Sequence, residues 1–384
     1  MKKAVSLILS AVMAVGLFAG CGKGAGNTTD ANTIRIGMSG PLTGSNAQYG
    51  TAVKAGMEIA VEEINAKGGL QIAFYSEDDE ADGEKAVSAY NTLKDKNIQF
   101  LAGAVTTGSC NAVAPLTAED NIVMMTPSGS AEAIAMAGKN VYQMCFTDPN
   151  QGVSAAQLVA EKNMGKAIGI IYDSSDAYST GIAEGFKAKA ATLGLNIVCE
   201  TSFTNDSKSD LSTQVTKCQE MGADLVFLPF YYSEAARVLT YANKIGYKPT
   251  FFGCDGMDGI LDLEGFDTSL AEGLMLMTPF NAWGEDERTV KFVSEYQALA
   301  GGIPNQFAAD GYDCIYAIYQ ACQQAGVTAD MGPQEVCEKL TKVFTDGSFA
   351  VDGLTGSGMH WQTNGEVSKD PVVVKVESGK YVTQ

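Results

Sequence analysis

Ile34-Arg35-Ile36-Gly37-Met38, Gly40-Pro41-Leu42-Thr43-Gly44-Ser45 and the stretch 50–66 decide the architecture. The first run is short and apolar, a strand, and the second is turn chemistry built on glycine and proline. In the third, Val53, Met57, Ala60 and Ile64 recur at spacings of four, three and four, which puts one apolar face on a helix stopped by Gly68-Gly69. Strand, turn, helix is the opening of a β-α-β unit.

The same alternation continues outward. Strands are expected at 71–75, 99–103, 122–125, 167–172, 196–199, 224–229, 250–253 and 274–277. Helices are expected at 83–94, 112–119, 180–193, 210–221 and 233–245. Strands separated by helical stretches mean parallel sheets, and the run is too long for one sheet of ordinary width. At 384 residues the chain also exceeds the size at which one hydrophobic core usually stops growing. Two doubly wound, Rossmann-like α/β domains are therefore expected.

Before this repeat lies a different kind of sequence. Lys2 and Lys3 precede the uncharged apolar stretch 4–19, the n-region and h-region of a secretory signal, and that stretch is short for a bilayer span. Small residues Ala19-Gly20 then meet Cys21, as at a bacterial lipoprotein processing site, so 1–20 is read as a signal peptide and Cys21 as the lipidated residue. Residues 21–32 are glycine-rich and polar, a flexible tether.

Composition narrows function by exclusion. With 26 Lys and Arg against 45 Asp and Glu, the formal charge is −19, and no basic run exceeds Lys2-Lys3, so nucleic acid is not an expected partner. One histidine, His360, leaves few routes to histidine catalysis, and no Gly-x-Ser-x-Gly elbow supports a hydrolase. Of nine cysteines none forms Cys-x-x-Cys, so no zinc site is expected; export permits disulfides among Cys110, Cys145, Cys199, Cys218, Cys254, Cys314, Cys322 and Cys337 without selecting a pairing. The acidic run Glu77-Asp78-Asp79-Glu80 lacks calcium-loop spacing and reads as a solvated loop. Neither cofactor nor metal is expected.

Ligands of open parallel sheets sit beyond the carboxyl ends of the strands. Here those segments are 39–48, 105–110, 126–130, 173–178, 230–233 and 255–258, rich in Ser, Thr, Gly, Tyr and Asp and free of His, Lys and Arg. Thr106-Thr107-Gly108-Ser109 precedes a helix expected to begin near Asn111, where free backbone N–H groups suit a carboxylate, although Ser109 could simply cap that helix. The stretch 103–110 has a P-loop's glycines, but Ser109 stands where the lysine is required, which excludes nucleotide binding. Asp255 in Cys254-Asp255-Gly256 is either a turn residue or the negative partner of a cationic group. Phe280, Trp283, Tyr231 and Tyr232 are core more readily than pocket wall.

Several motifs stand in a shared order and spacing: Gly40-Pro41-Leu42-Thr43-Gly44 with Tyr49-Gly50, Asn65-Ala66-Lys67-Gly68-Gly69, Ala114-Pro115, Thr126-Pro127-Ser128-Gly129-Ser130, Tyr178-Ser179-Thr180-Gly181, Phe251-Phe252-Gly253-Cys254-Asp255-Gly256 and Ala309-Asp310-Gly311-Tyr312-Asp313. Together they resemble the branched-chain amino-acid-binding family of periplasmic-type solute receptors. The resemblance implies a type I periplasmic binding protein whose two lobes, 33–147 plus 279–368 and 148–278 plus 369–384, are joined by three crossing segments. It further implies a lipid-anchored protein, monomeric, on the outer face of the cytoplasmic membrane, that closes on a free amino acid, aliphatic branched-chain first, and delivers it to the transmembrane subunits of an ABC permease. By the same resemblance Thr107, Gly108, Ser109 and Ser130 serve the ligand carboxylate. The Ser128 backbone and Asp255, one methylene shorter than the family's frequent Glu, take the ammonium, while Tyr49, Tyr178 and Tyr231 frame the cleft. A receptor for an amide, urea or aromatic acid, or a ligand-sensing subunit, is the alternative within the same fold.

Overall fold

The computed structural model describes residues 32–384; the signal peptide, Cys21 and nearly all of the tether lie outside the described residues. The first half of the chain runs β1 (Thr33–Gly40), α1 (Ala47–Lys67), β2 (Gln71–Asp78), α2 (Gly83–Asp95), β3 (Phe100–Ala102), α3 (Thr107–Asp120), β4 (Val123–Thr126), α4 (Glu132–Ala135) and β5 (Val141–Gln143). Its strands make one parallel sheet of order β2-β1-β3-β4-β5.

After 144–147 the chain passes to a second sheet. This part contains α5 (Asp148–Lys162), β6 (Ile168–Asp173), α6 (Ala177–Leu193), β7 (Ile197–Phe203), α7 (Ser212–Glu220), β8 (Leu225–Leu228), α8 (Tyr232–Lys244), β9 (Thr250–Gly253) and β10 (Met275–Thr278). The chain then returns to the first sheet for α9 (Glu287–Ala300), α10 (Gln306–Ala325) and α11 (Pro333–Thr345), and α10 packs along α1. Finally β11 (Val372–Glu377) and β12 (Lys380–Thr383) join the second sheet as an antiparallel hairpin beside β10, completing the order β12-β11-β10-β9-β8-β6-β7. The two lobes are thus interleaved in sequence.

Parallel strands covered on both faces read as continuous apolar runs, and Leu225-Val226-Phe227-Leu228 of β8 is wholly buried. Helix α1 buries the predicted face, with Val53, Met57, Ala60 and Ile64 all at 0 % exposure. It approaches α10 very closely because Gly56 has no side chain: a Cβ there would stand 1.8 Å from the Ala308 carbonyl oxygen. Gly152 of α5 does the same against Ile182 of α6 in the second lobe, where a Cβ would lie 2.2 Å from the carbonyl oxygen.

Two expectations need correction. Glu77-Asp78-Asp79-Glu80 is not a solvated loop. Glu77 and Asp78 end β2, and Asp79 is fully buried. Asp78 accepts from Leu42 N (2.8 Å) and Thr43 Oγ1 (2.6 Å), so its charge fixes the Gly40–Thr43 turn in place. The sequence reading places no element at β5, at α4, α5, α9, α10 and α11, or at the terminal hairpin β11–β12.

Candidate functional site

The carboxyl ends of the two sheets face each other across a cleft. In it lies a small space lined by Tyr49, Val105, Thr106, Thr107, Ser128 and Phe307 from the first lobe and Tyr178, Tyr231, Asp255 and Gly256 from the second. Six of the nine residues expected at the site line it: Tyr49, Thr107, Ser128, Tyr178, Tyr231 and Asp255.

One wall is the start of α3. The helix begins at Thr107, earlier than expected, with Thr106 as its N-cap and no side-chain cap bond. Ser109 therefore caps nothing; it lies inside the first turn and accepts from Thr106 Oγ1 at 3.2 Å. The first N–H groups of an α-helix have no intrahelical partner, which leaves those of Thr107, Gly108 and Ser109 for an anion. The Thr107 hydroxyl accepts from Ser130 N (3.2 Å), so its own proton is free to be donated to a ligand. Ser130 itself is fully buried behind this wall, its hydroxyl without a protein partner, and does not line the space. The Ser128 hydroxyl is spent on the Val105 carbonyl (2.8 Å).

The opposite wall carries the charge. Asp255 follows β9 at 3 % exposure. Its Oδ1 accepts from the Tyr178 hydroxyl (2.5 Å), its backbone N–H donates to Gln151 Oε1 (3.1 Å), and its carbonyl accepts from Gln306 Nε2 (3.0 Å). Burial pushes its carboxyl up to about 6, against the lowering effect of the Tyr178 and Gln151 hydrogen bonds. No Lys, Arg or His lines the space, so the carboxylate is unpaired until a cation arrives. A buried charge in that condition costs several kcal/mol.

Aromatic rings close the rest. Tyr178 stacks on Tyr231 with centroids 5.0 Å apart, and Tyr49 meets Phe307 edge-on at 4.5 Å. Tyr49 also ties the lobes together: its hydroxyl donates to the Gly256 carbonyl (2.5 Å) and accepts from Tyr232 N (3.3 Å). Tyr232 Oη to the Ser45 carbonyl (2.8 Å) and Gln48 Nε2 to the Asp262 carbonyl (2.9 Å) span the same cleft. The lobes are closed.

Beyond Thr106 and Tyr231 the space opens into a wider mouth lined by Gly108, Glu80, Asp82, Asp173, Asp176 and Glu234, with Lys208. Gly108 thus faces the mouth and not the inner space. Sequence reasoning missed Val105, Thr106, Gly256 and Phe307. The first three adjoin residues it named; Phe307 comes from α10, and nothing in its local sequence brings it to α1. Phe280 and Trp283 pack elsewhere, against Phe292 and Tyr381.

No helix of the described residues is long and apolar enough to cross a membrane, and they hold no cluster of His, Cys, Asp or Glu suited to a metal. The leucine-, isoleucine-, valine-, threonine- and alanine-binding protein of Pseudomonas aeruginosa is 27% identical over 314 residues, 81% of this chain and 82% of that protein. A Streptococcus pneumoniae branched-chain amino acid transporter substrate-binding protein, solved with isoleucine, superposes with a TM-score of 0.81 at 24% identity, covering 92% of this chain and all of that one. An R. palustris solute-binding protein of an ABC transporter, solved with benzoate, reaches 0.78 at 19% identity over 91% of this chain and 95% of its own. At these identities the two structures establish the fold. Residues 33–380 match the periplasmic binding protein family, and the chain belongs to it, with Leu/Ile/Val-binding proteins among its relatives.

Proposed function

We propose that the protein is the solute-binding lipoprotein of an ABC importer, anchored outside the cytoplasmic membrane through Cys21, that captures a free amino acid and hands it to the permease subunits without chemical change. A branched-chain aliphatic amino acid is the preferred ligand. The observation that carries this reading is the pairing of opposite walls: free N–H groups and the Thr107 hydroxyl on one lobe, the unpaired Asp255 carboxylate on the other. A zwitterion satisfies both at once. An aromatic acid or a urea leaves Asp255 uncompensated, and the acidic mouth opposes the approach of an anion.

Capture then follows from the lobes. The ligand carboxylate docks on the α3 terminus; closure brings Asp255 and the Tyr178–Tyr231 pair over the ammonium and side chain, and the Tyr49, Tyr232 and Gln48 bonds hold the lobes shut. A thermal-shift panel on the chain from residue 22 tests the ligand class, since a ligand at 100 times its Kd adds about 2.7 kcal/mol of stability. Leucine, isoleucine or valine should raise the melting midpoint. A rise with benzoates or ureas and none with any amino acid would overturn the reading.

A further inference from the structure

All eight cysteines of the described residues carry free, buried thiols, and one pair is in contact: Cys199 Sγ and Cys218 Sγ lie 3.4 Å apart. Cys199 sits in β7, the edge strand of the second sheet, opposite Gly169 of β6. Cys218 comes down from α7, the helix that covers this edge. Gly169 makes the room: a Cβ there would stand 3.0 Å from the Cys218 sulfur. The chain between them, 204–210, is almost entirely exposed, while α7 itself meets β7 through buried Val215, which shares a core with Phe203, and through Gln214 Nε2 donating to the Ser202 carbonyl (3.0 Å) and Lys217 Nζ to the Glu200 carbonyl (3.3 Å).

We infer that Cys199 and Cys218 form a structural disulfide that staples α7 to the open edge of the second sheet. The sulfurs need to approach by only about 1.4 Å to reach bonding distance, and they are 19 residues apart in sequence, a loop long enough for a cross-link to restrict the unfolded chain appreciably. The oxidant is a small or protein disulfide. One cysteine thiolate attacks it to give a mixed disulfide and release one thiol; the second cysteine then displaces the other thiol, so the pair loses two electrons and two protons while the oxidant is reduced to two thiols. Burial raises the Cys218 thiol well above its ordinary range, which keeps it protonated and unreactive once folded. Bond formation therefore belongs to folding. The inference is independent of the ligand.

The purified protein, unfolded with reductant, refolded in a reduced and oxidised glutathione buffer, alkylated and digested with trypsin, tests it. The expected product joins peptide 190–208, which holds Cys199, to peptide 218–237, which begins with Cys218. Oxidised protein should also melt several degrees above its reduced form, with no such difference in Cys218→Ala. Alkylation of both Cys199 and Cys218 after refolding, or linkage of either to another cysteine, would overturn the assignment.

Discussion

Tyr49→Phe isolates the bonds that hold the lobes shut. The ring would keep its edge contacts with Phe307 at 4.5 Å and Tyr232 at 4.9 Å, so packing should change little. What disappears is one hydroxyl serving two groups of the other lobe, the Gly256 carbonyl and Tyr232 N–H. In an open form both are solvated; in the closed form both are buried and unmatched, at about 1–3 kcal/mol for each such group. The closed form should lose ~2–6 kcal/mol, and at 1.4 kcal/mol per decade the Kd for the amino acid should rise by between about thirty-fold and about ten-thousand-fold. Titration calorimetry reads that change, and small-angle scattering should show the variant staying open at ligand concentrations that close the parent. The ligand-free melting midpoint should scarcely move. A Kd within twofold of the parent's would refute the idea that these bonds carry closure.

Other expectations concern charge and packing. Asp255 must be ionised to hold an ammonium group, so affinity should fall as pH drops through about 6, measurable by calorimetry from pH 8 to 5. Ligand-free stability should move the other way: burial raises Asp255 and Asp79 to about 6 and Asp258 and Asp310 to about 7, so the folded form binds protons more tightly than the unfolded, and the melting midpoint should climb as pH falls from 7 toward 5. Lys369→Met should destabilise the fold by ~3–5 kcal/mol in chemical denaturation, because Asp310, 3.0 Å from the Lys369 ammonium with both side chains 2 % exposed, would be left buried without the cation that opposes its desolvation. Adding Asp310→Leu to that variant should recover much of the loss. Gly56→Ala should cost at least ~1–3 kcal/mol, since the new methyl meets backbone and not a movable side chain; an unchanged denaturation midpoint would contradict the packing described for α1 and α10.

Local chemistry made much of this fold legible. Val53, Met57, Ala60 and Ile64 announced the buried face of α1, and the glycine- and serine-rich segments after each strand announced the cleft. The β11–β12 hairpin has a local signal of its own: Ser378-Gly379, both at positive φ, form the two-residue turn between apolar runs. Charge alone suggests exposure for Asp79, whereas its burial follows from the approach of β2 to the α3 terminus. Phe307 and the Gln151 and Gln306 supports of Asp255 arrive from α10 and α5, through contacts that no local spacing encodes. Asp148 is another such case. It starts α5, lies fully buried with neither carboxylate oxygen hydrogen-bonded to a protein donor, and desolvation raises its carboxyl well above the ordinary range.

The claim on which the rest depends is that Asp255 and the α3 terminus together grip a zwitterion. Calorimetric titration of the purified protein with leucine and with 4-methylpentanoate, the same carbon skeleton without its ammonium group, tests it most directly. Binding of leucine with loss of nearly all affinity for the deaminated acid is the predicted result. Equal affinity for the two, or preference for the acid, would contradict it.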